Sequence, residues 1–316
     1  MSIATEKRKI TRLRPRRAGD GRARAVREAK EWTAKVLLAA AALFSIVTTL
    51  LIVGVLLYES STFFAAVRLD KFLLTTTWAP QYDPPHFGIW ALISATLVTT
   101  AIALLVALPI GTAVAIYLSE FAPYWLRETI KPSLELLSAV PTVVYGYFAL
   151  AWVSPALQTF LPHLPGSNML CAGLVMGIMI VPYVSSLSED AMRAVPMLLR
   201  EGSYALGGNK LLTAWNVVIP SALSGIGAAF ILGISRAIGE TMIVAVAGGN
   251  IPKFTLNPLD EAQTITANIV ATSGGDPAHG TIEYQSLFAA GLALFFMTLA
   301  FNILGYWLRR RYHQAY

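Results

Sequence analysis

From Pro220 to Gly248 the chain is an apolar run broken by only two charges, Arg236 and Glu240. A run of this length satisfies its own backbone in lipid only as a membrane-spanning helix. Arg236 falls about 16 residues past Pro220, roughly 24 Å along a helix that rises about 1.5 Å per residue. That places it well inside a bilayer. A charge there costs roughly 2.5–3.5 kcal/mol on insertion scales, so it normally faces the protein interior and carries function. Arg236 and Glu240 are four positions apart, so one continuous helix would set them on a single face.

The remainder of the chain follows the same pattern. Of 316 residues, 55% are hydrophobic and 13% charged, against about 25% charged in soluble domains. The sequence predicts an all-α membrane protein with six spans: Val36–Tyr58, Phe87–Leu118, Leu134–Leu157, Met169–Leu187, Pro220–Gly248 and Tyr284–Leu308. The second is longer than a bilayer needs and should tilt, kink near Pro109 or protrude. Three parts follow: a basic tail at 1–35, the first span with its loop at 36–86, and a transmembrane domain at 87–312. The tail, with Pro15 and Gly19-Asp20-Gly21 as breakers, reads as unstructured, then as a short surface helix from Arg22. The loop at 59–86 is rich in aromatics and proline, and 249–281 reads as a polar loop.

Charge sets the sidedness. Of the 24 Lys and Arg, 20 fall in the two termini and the connectors near 120–132 and 188–218. Only Arg68, Lys71 and Lys253 fall on the other side. An excess of Lys and Arg marks cytoplasmic segments, so both termini are expected in the cytoplasm. The basic tail is read as topological rather than as a nucleic-acid site, and the chain's expected surroundings are membrane lipid. The single Cys171 excludes an intrachain disulfide.

The connector at 193–218 carries Glu201, Gly202 and Ser203, then Gly207, then Val217, Ile219 and Pro220. Two short helices joined at Gly207 fit this pattern, because glycine accepts a positive φ. The spacing resembles the EAA motif of ABC importer permeases, E-A-A-x3-G-x9-I-x-L-P, with Gly202-Ser203 in place of Ala-Ala and Val217 for the first Ile. The segment GISRAIGETMIVAVAGGN, residues 233–250, is similar to the PstC-type permeases of phosphate ABC importers. So is ELLSAVPTVVYG, from Glu135 to Gly146. The likeness covers roughly residues 72–308.

The resemblance implies a type I importer permease of MetI-like architecture in a bacterial cytoplasmic membrane. Its implied partners are a PstA-like second permease, a PstB-like ATPase dimer and a PstS-like phosphate-binding protein. It also implies that the 193–218 segment couples to the ATPase, and that ATP and Mg are held by that partner, with no cofactor on this chain. No G-x-x-x-x-G-K-[ST], G-x-S-x-G or H-E-x-x-H pattern occurs, and the four histidines have no metal-ligand spacing.

The chemistry agrees with an anion. Arg236 stays charged and presents a planar fork that matches phosphate oxygens. Glu240 can hold Arg236 in place, or accept a hydrogen bond from a phosphate P–OH that sulfate lacks at neutral pH. The same two residues also fit an ion pair that only fixes packing. Thr241 is the best-placed hydroxyl for the pathway, ahead of Ser138, Thr142 and Ser235. Glu135 and Pro141 mark a possible gate, while Glu189 and Asp190 read as headgroup-level carboxylates. Glycines 225, 227, 233 and 239 suit a helix in close contact with neighbours. Two other functions stay open: a permease for sulfate or molybdate, and a secondary anion transporter.

Overall fold

The computed structural model describes the backbone of residues 20–311 and the side chains of residues 27, 28 and 30–307. The basic tail up to residue 19 and the side chains of Arg309, Arg310 and Arg311 lie outside this range. By internal contacts the chain falls into two units, Met1–Val55 and Leu56–Tyr316. Five helices are long and apolar enough to cross a membrane, and a bent pair brings the number to six.

The first long helix, α1, runs unbroken over Asp20–Ala66. The basic segment from Arg22 is therefore continuous with the apolar run and does not form a separate surface helix. The loop that follows contains α2 (Leu69–Leu74) and a two-stranded hairpin, β1 (Trp78–Ala79) antiparallel to β2 (His86–Phe87). Its aromatic residues account for its order. Phe63 meets Phe72 and Phe87 edge-on at 5.8 and 5.1 Å, and Trp78 meets Phe87 at 6.1 Å. These arrangements favour ring quadrupoles and bury Phe63 and Trp78 almost completely.

The core is two long helices packed side by side, α3 (Trp90–Ile116) and α7 (Met169–Arg193). Lipid is as apolar as a side chain, so close fit rather than water exclusion holds such a pair together. Glycine supplies the fit. A Cβ at Gly173 would lie 2.7 Å from Ile102 Cβ, and one at Gly177 2.8 Å from Val106 Cβ. α3 ends in a wide turn, Tyr117–Phe121. α7 starts with Asn168, whose side chain caps the Cys171 amide at 2.7 Å.

The third apolar run differs from its sequence prediction. Helix α4 (Tyr124–Ser138) and the run Thr142–Phe160 meet at 86°. The predicted run from Leu134 is therefore broken by this bend, and an apolar helical run resumes at Thr142. The cause is in the sequence: α4 carries Arg127, Glu128, Lys131 and Glu135, which lipid excludes, and Pro141 stands at the turn. The run from Thr142 is α5 (Thr142–Phe148), a wide turn Ala149–Val153 and α6 (Ser154–Phe160).

After α7 come the short helices α8 (Met197–Ala205) and α9 (Lys210–Thr213) and a wide turn Ala214–Val218. Helix α10 (Ile219–Ile238) follows, then a break, then α11 (Met242–Ala247). The predicted fifth span is thus interrupted within its last third. α10 packs on α7 through Gly225 and Gly233, where an added Cβ would lie 2.4 Å from Ala191 Cβ and 3.1 Å from Val184 Cγ2. Gly227 has open space beside it, so the glycine stripe serves that contact at only some positions. The loop 249–281 contains an unpredicted helix, α12 (Ile265–Gly274), buried at its first turns. The last helix, α13 (Ile282–Arg311), runs along α10 and α12.

Candidate substrate pathway and coupling segment

Arg236 sits in the last turn of α10, partly buried against α7. Its Cζ lies 5.7 Å from the centre of the Tyr183 ring, and one terminal nitrogen is 3.8 Å from Met179 Sδ. The first contact is a cation–π interaction, worth roughly 0.5–2 kcal/mol. Nε is buried with no hydrogen-bond partner. No carboxylate among the described residues lies within ion-pair distance of this guanidinium.

Glu240 is 8% exposed but does not meet Arg236. α10 ends at Ile238, so the two residues no longer share a helix face. The Glu240 carboxylate instead accepts from the Met242 and Ile243 amides at 3.1 and 3.4 Å. Those amides begin α11 and have no partners within their own helix, and negative charge is favoured at that end. The i,i+4 pair expected from sequence is therefore replaced by a helix cap and an unpaired arginine. Thr241 bonds locally, to the Gly239 carbonyl at 3.2 Å.

The segment containing the possible gate packs against this break. A Cβ at Gly146 would lie 3.0 Å from the Met242 carbonyl and 3.1 Å from Val246 Cβ. α5 and α11 are thus in near backbone contact, with Pro141 at the N-terminal end of α5. Glu135 is exposed on α4, away from this contact. Two hydroxyls are committed elsewhere. Ser138 donates to the Glu135 carbonyl at 2.7 Å. Ser235 lies against Asn302 of α13 at 2.8 Å.

The connector is built as two helices at a glycine. Glu201, Gly202 and Ser203 lie on α8, and Gly207 has φ +86° where α8 ends. Asn209 then caps α9 through the Leu212 amide at 2.8 Å. Ser203 and Thr213 share a hydrogen bond of 2.8 Å across the turn. Pro220 stands where the wide turn Ala214–Val218 passes into α10, within one helical run from Lys210 to Ile238. The turn displays apolar side chains outward, with Leu206 92% exposed and Leu198 78%.

Two ion-pair groups, neither anticipated from sequence, fix this end. Arg200 of α8 reaches Glu120 at 2.9 Å and bonds the Val195 and Met192 carbonyls at 2.6 and 2.9 Å. Lys131 of α4 bonds Asp190 and meets fully buried Glu189 at 2.5 Å, with Arg193 at 3.7 Å from Glu189. Glu189, fully buried, and Asp190, exposed, thus tie α7 to α4. The signal available in sequence was a Lys–Glu–Asp–Arg set at two helix ends, which spacing alone does not join.

The unit Leu56–Tyr316 thus holds membrane-length apolar helices, an arginine with no carboxylate partner among the described residues, and an exposed apolar turn at Leu206. Residues 107–315 match the binding-protein-dependent transport system inner membrane component family, and the chain belongs to it. It is 35% identical over 241 residues to the probable ABC transporter permease protein YqgH of Bacillus subtilis, covering 76% of this chain and 78% of that one. It is 34% identical over 250 residues to the phosphate transport system permease protein PstC of Xylella fastidiosa, covering 73% and 75%. Its fold is shared with a chain of a bacterial ABC transporter involved in the import of the acidic polysaccharide alginate. There the TM-score is 0.63 at 15% identity, over 91% of this chain and 100% of that one.

Proposed function

We propose that this chain is the membrane permease subunit of an ATP-driven importer of inorganic phosphate, acting by alternating access. The observation that carries the substrate is its likeness to chains named as phosphate transport permeases, including 31% identity over 86% of this chain to that of Haemophilus influenzae. Arg236 supplies the chemistry. A buried guanidinium without a carboxylate is costly, and an anion passing through relieves that cost. A phosphate dianion needs more than one cation, so a second one comes from a partner permease subunit.

ATP is hydrolysed by a separate ATPase pair, which grips the exposed turn around Leu206. Closure of that pair pulls on Glu201–Gly207 and, through Pro220, on α10 and Arg236. A phosphate-binding protein delivers substrate at the opposite end of α7. Both termini lie in the cytoplasm, as the distribution of Lys and Arg supports. No cofactor is needed on this chain.

The test is labelled-phosphate uptake in cells lacking their own high-affinity system and supplied with all four components, with Arg236 intact or changed to Gln. ATP-dependent uptake that resists sulfate and disappears in Arg236→Gln, while the complex still assembles, supports both substrate and residue. Uptake of another anion instead of phosphate would replace the substrate. Phosphate uptake that survives Arg236→Gln would make the arginine structural.

A further inference from the structure

The break between α10 and α11 leaves the Glu240 carbonyl without an intrahelical partner. A buried carbonyl at membrane depth must find a donor. The donor here is the Thr266 hydroxyl, at 2.7 Å. Thr266 lies 26 residues further on, in the first turn of α12, and is 5% exposed.

The direction of the bonds around it is fixed. A hydroxyl has one proton, and the carbonyl can only accept, so the Thr266 proton goes to Glu240. Thr264 lies 3.1 Å from Thr266, hydroxyl to hydroxyl, and must therefore donate to it. Thr264 in turn accepts from the Ala267 amide at 3.2 Å. The chain runs Ala267 N–H to Thr264, Thr264 to Thr266, Thr266 to Glu240. It starts at the N-terminal turn of α12, and bonds in such a series polarise one another. The start of α12 is itself anchored to α3, where Thr96 accepts from the Ile265 amide at 3.1 Å.

We propose that Thr266 is a positioning residue for transport: it holds the α10–α11 break open and so keeps the Glu240 carboxylate turned toward α11 and away from Arg236. This rests on the reading of Arg236 as the anion-binding residue. Without the Thr266 proton, the carbonyl is best satisfied by continuing α10 into α11. That continuation sets Arg236 and Glu240 four apart on one face, where the carboxylate neutralises the cation that the anion needs. Thr266 never touches substrate.

The experiment compares Thr266→Val, Thr266→Ser and Arg236→Gln in the complete complex, with its partner permease, ATPase and binding protein, reconstituted into vesicles. Phosphate uptake and binding-protein-stimulated ATP hydrolysis are both measured per assembled complex. Valine keeps the shape and removes the proton. Serine keeps the proton and removes a methyl group. The expected result is a drop of about tenfold in uptake for valine, about 1.4 kcal/mol, with ATP hydrolysis retained and serine within about twofold of the parent. The inference is overturned if valine transports like the parent while Arg236→Gln is inactive. It is also overturned if serine is the worse variant, or if uptake and hydrolysis fall together in valine. If Arg236→Gln transports normally, the anion-site reading fails and takes this proposal with it.

Discussion

Changing Arg200 to Met should unfasten the α8 connector at a calculable cost. Arg200 and Glu120 side chains are 11% and 6% exposed, so little solvent screens them. Removing one member of a buried pair costs about 3–5 kcal/mol, because the other charge is left desolvated. Glu120 keeps a hydrogen bond from Ser119 at 2.7 Å, which puts the cost toward the lower figure. The Val195 carbonyl loses its donor as well, while the Met192 carbonyl keeps the Val195 amide at 3.2 Å, which adds about 1 kcal/mol if water does not reach Val195. Arg200→Met is therefore expected to lose about 4 kcal/mol. Glu120→Gln, which retains an acceptor, loses about 1–2 kcal/mol. The double change Arg200→Met with Glu120→Gln removes both charges and should be more stable than Arg200→Met with Glu120 intact, with a coupling of about 2 kcal/mol. Denaturant titration of the detergent-solubilised chain measures all four corners of the cycle. Strict additivity would refute the pair as an energetic unit. A loss under about 0.5 kcal/mol in Arg200→Met would refute its burial argument altogether.

Three further outcomes follow from single positions. Gly207→Ala meets no atom within 4 Å, so its cost is the left-handed backbone alone, about 1–2 kcal/mol; anion moved per ATP hydrolysed should fall about fivefold, and an unchanged ratio takes the glycine out of coupling. The Lys253 ammonium at 2.9 Å, helped by the Thr255 hydroxyl, holds the Asp260 carboxyl below its ordinary value of 3.8. A depressed pKa stabilises above the unfolded value and is lost as pH falls through the folded one. Hydrogen exchange in residues 253–260 should thus stay protected from pH 8 to about 5 and open below about 4; protection that fails first on the alkaline side would reverse the assignment. Glu240→Gln keeps an acceptor for the Met242 and Ile243 amides, so phosphate-over-sulfate preference should persist, whereas Glu240→Ala loses the cap and about fivefold in uptake. A preference that relaxes in the Gln variant would return the carboxylate to the substrate.

Apolar length made the spans legible, because lipid leaves a backbone almost no alternative to helix. Gly207 was legible for an equally direct reason: a helix end followed by a second helix start needs a residue at positive φ, and φ there is +86°. Periodicity did not reveal where helices stop. Ile238 to Met242 contains no proline, and the break there depends on Thr266, 26 residues away, taking a carbonyl. The turn at Pro141 was visible as a proline, but its 86° angle depends on four charges of α4 being kept out of lipid. α12 was missed because Thr264, Thr266, Asn268 and Thr272 interrupt its short apolar run and the segment sits between Pro- and Gly-rich stretches, which together read as a loop. Those polar groups are buried against other polar groups of α3 and α10–α11, a match that no local window contains.

The cations that are not exposed give the last step. Arg127, Lys131, Arg200 and Arg236 all lie partly buried among the described residues. The first three each have a carboxylate within 4 Å: Arg127 on Glu128, Lys131 on Glu189 and Asp190, Arg200 on Glu120. Where a charge only holds helices together, the chain supplies its counter-ion. At Arg236 the nearest acid in sequence, Glu240, is spent on two backbone amides. That three of these cations have a carboxylate and the fourth, beside a helix break, has none among the described residues supports the proposed anion-binding role of Arg236. In the proposed reading an anion passes without staying, because among the described residues the guanidinium contacts a ring and a thioether, which hold it in place but do not compete with an anion for it.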